Sequence, residues 1–261
     1  MPIVIKTRRE IEMMRRTGQV AHEILQKMHQ AAKPGVTTLE LDELAQDELA
    51  KVGGIGLSKN YPTYKEGEGF PGHTCISVNE EVVHGIPGKR VLKEGDIVTL
   101  DLAMSLDGYC ADTATTVSIG QISPAAQKLL DVTLETLHLA LQNMKPTRKW
   151  SDIARLMQHH VERNGFSVVR EFVGHGIGRE MHEDPKVPNF DDRKQRKHDF
   201  RLMPGMTLAV EPMVNLGGHA VQFGDGDRWT VVTKDGRAAA HFEHTVAVTE
   251  TGADVLTDGR E

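Results

Sequence analysis

The pattern of residues 82–117 returns, altered, between 173 and 248. "VVHGIP" (82–87) is echoed by "VGHGIG" (173–178), "LKEGDIVTLDLAM" (92–104) by "LMPGMTLAVEPMV" (202–214), and "ADTATTV" (111–117) by "FEHTVAV" (242–248). In the middle pair a glycine precedes a carboxylate by six residues both times, Gly95 before Asp101 and Gly205 before Glu211. In the last pair a carboxylate stands just before a threonine. Such self-similarity points to two related units. Each unit reads as α+β, helices first and strands after. We therefore expect one domain over 1–261, with halves at about 7–120 and 124–250 facing each other across a pseudo-two-fold axis.

Within the first half, "VTLDLAMSLDGYCADTATTVSIG" (98–120) reads as a β-hairpin. Asp107-Gly108 is a strong two-residue turn signal between strand-like runs. A turn there pairs 106 with 109 and 101 with 114. Asp101 and Asp112 then share a face, within diagonal reach. Strands rarely carry aspartate, and adjacent carboxylates repel unless something positive lies between them.

The helices are legible from their caps. Thr7 and Glu10 form a capping box before the periodic Ile11, Met14, Ala21, Ile24, Leu25 and Met28. Thr38 is expected to cap a second helix ended by Gly53-Gly54. A third runs over about 124–144, and Ser151 is expected to cap a fourth that stops at Asn164-Gly165. Residues 55–74 form a Gly/Pro/Tyr-rich loop. Strands are predicted at 75–84, 97–119, 167–174, 206–214, 228–233 and 240–249.

The repeat gathers Asp101, Asp112, Glu211 and Glu243 with His84 and His175, the carboxylates all in apolar, strand-like contexts. Buried carboxylates need partners. Pairing with Lys or Arg is one solution, but the flanking strands contain almost none. A divalent-metal pair needs mostly oxygen ligands, a histidine and carboxylates able to bridge two ions, and this set matches that need. Bulk properties exclude other classes. At 39% hydrophobic and 26% charged residues, the chain has an ordinary soluble composition. A net charge of -6 gives no reason to expect DNA binding, and no apolar run reaches membrane-spanning length. The start lacks a signal-peptide h-region, and two cysteines make no disulfide framework, so a reduced cytoplasmic protein is expected.

The motifs "CISVNEEVVHGIP", "DLAMSLDGYCADTATT", "GHGIGREMHEDP", "PGMTLAVEPMV" and "FEHTVAVT" resemble those of type I, bacterial-type methionine aminopeptidases, over about residues 5–250. The resemblance implies the pita-bread (creatinase/aminopeptidase) fold, in agreement with the two halves. It implies Asp101, Asp112, His175, Glu211 and Glu243 as ligands of two divalent ions (Co, Mn, Fe or Zn), Asp112 and Glu243 bridging. His84 and His182 match substrate-contacting histidines. The implied reaction is removal of the initiator methionine from nascent polypeptides with a small second residue. Glu211 would shuttle the proton to the leaving amine, His182 would help stabilise the oxyanion, and His84 would hold the second residue's amide nitrogen. Nascent N-termini are the implied partners, with transient ribosome contact through a basic N-terminal face (Lys6, Arg8, Arg9, Arg15, Arg16). A monomer is expected.

Departures fall in the specificity pocket. Cys75, Phe70 and Trp229 can line it, but the usual aromatic before the last "HE" is Met181 here. A tyrosine usual in the upstream loop is replaced near Gly67, and His241 stands where glutamine is common. Other signals are demoted. "GEGFPG" (67–72) matches G-x-G-x-x-G without a preceding strand, "FGDGDRW" (223–229) reads as a turn, and His159-His160 and "RKQRK" (193–197) read as surface. The rivals are an Xaa-Pro peptidase of the same fold and a non-catalytic module. The first usually carries an N-terminal domain, for which the residues before Thr7 leave no room. The second would have lost metal ligands. A type II enzyme is disfavoured because only 31 residues lie between Glu211 and Glu243.

Overall fold

The computed structural model describes residues 2–62, 69–191 and 196–260. Met1, the 63–68 stretch containing Gly67, and most of the 193–197 basic run lie outside the described residues. Among the described residues four α-helices, α1 (Arg8–Ala31), α2 (Thr38–Val52), α3 (Pro124–Asn143) and α4 (Trp150–Arg163), accompany strands whose pairings are all antiparallel. Among the described residues no helix is long and apolar enough to cross a membrane.

The hairpin forms in the expected register. Ile97–Leu106 and Tyr109–Ser118 pair along their whole length, with Leu106 opposite Tyr109 and Asp101 opposite Ala114. Both turn residues take positive φ, 52° at Asp107 and 78° at Gly108. That geometry matches the right-handed strand twist, and Asp-Gly tolerates it. Cys75–Val78 pairs on the other edge of Ile97–Leu106, setting Cys75 opposite Asp101. α1 and α2 close one apolar face, burying Ile24, Leu25, Met28, Leu41 and Leu49 against Val98, Leu100, Leu102 and Met104. The second half repeats the scheme with α3 and α4 over Leu208, Val210, Val246 and Val248. The two clusters make separate apolar bodies, and the seam between them is left for polar groups.

Two caps differ from expectation. Thr37, not Thr38, caps α2, in a capping box with Glu40, while the Thr38 hydroxyl bonds the backbone of Gly88. The box needs its acidic partner three residues on, and only Thr37 has one. Ser151 does not cap α4. Lys149 occupies the cap position without a side-chain bond, and Ser151 instead gives its N–H and hydroxyl to Asp199. Four strands fall outside the predicted spans: Ile55–Gly56, Glu183–Val187, Val221–Phe223 and Ala253–Val255. The basic N-terminal face is partly consumed. Lys6 is buried against Glu183, and Arg15 pairs with Asp254, leaving Arg8, Arg9 and Arg16 exposed.

Candidate metal centre and active site

Residues opposite each other across antiparallel strands point to one face. Cys75, Asp101, Ala114 and Glu243 form such a row. Cys75 is opposite Asp101, Asp101 opposite Ala114, and Ala114 makes an isolated bridge to Glu243 across the seam. The bridge has a hydrogen bond in each direction, Glu243 N–H to Ala114 O at 2.9 Å and Ala114 N–H to Glu243 O at 3.3 Å. Alanine in mid-row leaves space between two carboxylates, and Asp112 lies two residues along.

Threonines stitch this seam. The Thr245 hydroxyl accepts from Asp112 N–H (2.9 Å) and donates to Asp112 O (2.8 Å). The Thr116 hydroxyl accepts from His241 N–H (2.9 Å) and donates to His241 O (2.8 Å). The Thr113 hydroxyl reaches Glu243 O at 3.0 Å. The carboxylate-before-threonine echo thus has a local cause. The threonine of each segment bonds the backbone beside the carboxylate of the other.

His175 arrives from Gly174–Gly176, a strand squeezed between Thr207–Val210 and Glu183–Val187. A Cβ at Gly174 would lie 2.3 Å from Ala209 O, and one at Gly176 2.3 Å from Asp184 O. Only glycine fits on either side of this histidine. Glu211 follows the Thr207–Val210 strand, its carbonyl held by Asn189 Nδ2 at 3.0 Å.

Ligand atoms of Asp112, His175 and Glu243 all lie within 4.8 Å of one another. His175 Nε2 is 3.8 Å from Asp112 Oδ2 and 3.7 Å from Glu211 Oε1. These separations are too long for hydrogen bonds. Buried Asp112 Oδ1 and Glu243 Oε1 have no hydrogen-bond partner. Lone pairs left open among oxygen and imidazole donors, with no lysine or arginine among the described residues bonded to them, fit divalent cations. Asp101 faces the same cluster from the neighbouring strand. The structure therefore gathers Asp112, His175, Glu211 and Glu243 directly, with Asp101 beside them.

Burial pushes all four carboxyl groups upward. Asp112 rises to about 6, and Asp101, Glu211 and Glu243 rise well above the usual carboxylate range, the neighbouring carboxylates adding to burial for these three. Burial pushes the histidines the other way: His175 downward, His84 and His182 to about 4, His241 to about 3. Both shifts disfavour charge in a site without a cation. A carboxyl group with a raised folded pKa costs stability as pH rises through the window between unfolded and folded values. A histidine with a lowered pKa returns stability up to its unfolded value near 6.5. The two oppose each other below about pH 6.5; above it the histidines drop out, while the raised carboxyl groups and, at alkaline pH, the buried Cys75 and Cys110 thiols lower stability as pH rises. We expect the melting temperature of chelator-treated protein to fall as pH rises above neutral, and added Mn²⁺ to flatten that slope. Melts in chelator that do not vary with alkaline pH would contradict the assignment.

The remaining expected residues form the approach. His84 sits at φ 58° with its ring edge-on to Phe172, centroids 5.5 Å apart. His182 lies against His175, centroids 4.3 Å apart. Phe70 is buried and meets Trp229 edge-on at 5.4 Å. Cys75 is buried, and burial together with Asp101 pushes its thiol well up, which suits a pocket wall and not a nucleophile. Met181 is half-buried next to His182. His241 lies inside the carboxylate cluster, not at the pocket. It is 2% exposed, its Nε2 is 3.8 Å from both Glu211 Oε2 and Glu243 Oε2, and neither ring nitrogen has a hydrogen-bond partner. Sequence reasoning grouped His241 with the departures in the specificity pocket, and it missed Tyr61, whose ring meets both His182 and Trp229. "FGDGDRW" is a turn, closed by Asp227 Oδ1 accepting from Trp229 and Thr230 N–H. His160 is paired with Glu135 at 3.0 Å, and Arg196 with Asp191.

Residues 12–250 match the model of metallopeptidase family M24. The chain belongs to that family. Among M24 proteins it is 48% identical to methionine aminopeptidase 1 of Bacillus subtilis over 98% of this chain and 99% of that protein. The structure superposes on methionine aminopeptidase from Thermotoga maritima with a TM-score of 0.91 at 41% identity, covering 98% and 99% of the two chains. The prolidase of Pyrococcus furiosus has a TM-score of 0.77 at 20% identity, covering 99% of this chain and 66% of that one, and shares the fold alone. The M24 chain thus has the pita-bread fold that the resemblance implies, and the type I, bacterial-type resemblance holds along nearly its whole length.

Proposed function

We propose that this chain removes the N-terminal methionine from polypeptides whose second residue is small, as a single two-half catalytic domain acting in the cytoplasm as a monomer. The observation that carries this reading is the buried Asp112–His175–Glu243 cluster with open lone pairs, in a chain so similar to methionine aminopeptidases. Asp101, Asp112, His175, Glu211 and Glu243 would hold two divalent ions, with Asp112 and Glu243 shared between them. The donor set suits Fe, Mn, Co or Zn. Ions held there would lower the pKa of an attacking water and polarise the scissile carbonyl. Glu211 takes the proton from that water and delivers it to the leaving amine. His182 donates to the developing oxyanion. His84 holds the amide nitrogen of the second residue. Cys75, Phe70, Trp229 and Met181 form the wall for the methionine side chain, where methionine at 181 adapts to a flexible thioether. Exposed Arg8, Arg9 and Arg16 supply the basic surface at the start of α1 for transient ribosome contact.

Hydrolysis of Met-Ala-Ser and Ala-Pro by protein reconstituted with Mn²⁺ or Co²⁺ tests the reading. Free methionine from the first and no cleavage of the second are expected. The reverse would assign the chain to the Xaa-Pro peptidases, and cleavage of neither would favour a binding role.

A further inference from the structure

Tyr61 is held in place from several directions. Its N–H donates to Ser58 O at 3.0 Å, its carbonyl accepts from Phe70 N–H at 3.0 Å, and Asn60 N–H donates to Phe70 O at 2.8 Å. Asn60 turns the chain at φ 61°, and a Cβ at Gly69 would lie 2.5 Å from Asn60 Cα, so the two chain segments touch backbone to backbone. The phenol ring stands edge-on to Trp229 (centroids 6.5 Å, 72°), which is itself edge-on to the buried Phe70 (5.4 Å, 86°). It is also edge-on to His182 (5.5 Å, 71°), and its hydroxyl is 3.1 Å from His182 Nδ1.

A neutral imidazole carries one proton, and the partner of one nitrogen decides which nitrogen holds it. A phenol O–H donating to Nδ1 leaves the proton on Nε2. A histidine that stabilises an oxyanion must offer an N–H, and with Nδ1 occupied by Tyr61 that donor is Nε2. We propose that Tyr61 is a positioning residue that donates to His182 Nδ1, fixing the Nε2–H tautomer of His182 and aiming it at the scissile carbonyl. This rests on the role given to His182 above. Tyr61 touches no reacting atom. It removes the alternative tautomer and the ring rotations that would present a lone pair to the oxyanion.

Tyr61→Phe keeps the ring and its packing on Trp229 while deleting the hydroxyl. With Mn²⁺-loaded protein and Met-Ala-Ser, kcat should fall roughly 3–10-fold, the size of one lost hydrogen bond, with KM nearly unchanged. In the His182→Ala background the same change should have no further effect on kcat. In ¹⁵N spectra of Zn²⁺-loaded protein, the His182 ring should show an unprotonated Nδ1 and a protonated Nε2, and Tyr61→Phe should shift it toward a mixture. A protonated Nδ1 in the unsubstituted protein would overturn the proposal, as would a Tyr61→Phe variant with unchanged kcat and unchanged His182 spectrum. If His182→Ala alone leaves kcat intact, the fault lies in the role given to His182 and not in the Tyr61 contact.

Discussion

Glu243→Ala protein is expected to lose both tight metal binding and turnover. Glu243 is 2% exposed, its Oε1 has no hydrogen-bond partner, and it belongs to the tight cluster with Asp112 and His175. It is also joined by backbone to Ala114, which lies opposite Asp101 and two residues from Asp112, so it shares their face. Removing a group that only orients a ligand costs about 10–100-fold in metal affinity. A shared ligand should cost more than that, and activity should fall below detection with it. Calorimetric titration with Mn²⁺ reads the first effect and methionine release the second. The fold should survive, because the Thr113, Thr116 and Thr245 bonds that close the seam use backbone groups and remain available. Unaltered Mn²⁺ affinity in the variant would remove Glu243 from the centre.

His182→Ala should separate chemistry from metal binding. His182 lies at a tilt against His175 without belonging to the close ligand group, and it is exposed on the approach side. As an oxyanion donor it should be worth a factor of about 10²–10³ in kcat, or about 2.7–4 kcal/mol. Metal content should stay at the level of the unsubstituted protein. A rise in KM with kcat unchanged would instead assign His182 to ground-state binding.

The site was legible in the sequence to the extent that local rules place its parts. Asp107-Gly108 admits one common hairpin turn, so the Asp101–Ala114 register followed from it, and with it the shared face of Asp101 and Asp112. The glycines around His175 mark a close strand approach that no side chain tolerates. What could not be read depends on chain segments far apart in sequence. Asp199 takes the Ser151 hydroxyl and N–H, so a good capping residue caps nothing. Glu183–Val187 is a strand despite its charges and proline because it covers the His175 strand. His241 enters the carboxylate cluster because Met213 pairs with it in a strand ladder and Thr116, on the other half, holds its backbone. Tyr61 reaches His182 across 121 positions, and nothing in the pattern of its own loop announces it.

The central claim is that this buried carboxylate–histidine seam hydrolyses the first peptide bond only when it holds divalent cations. The direct measurement is titration of chelator-treated, anaerobically prepared protein with Mn²⁺ while bound metal and free methionine from Met-Ala-Ser are followed together. The account predicts no methionine without metal and release that rises in step with occupancy of the centre. Methionine release at full rate from metal-free protein, or a fully occupied centre that releases none, would contradict it.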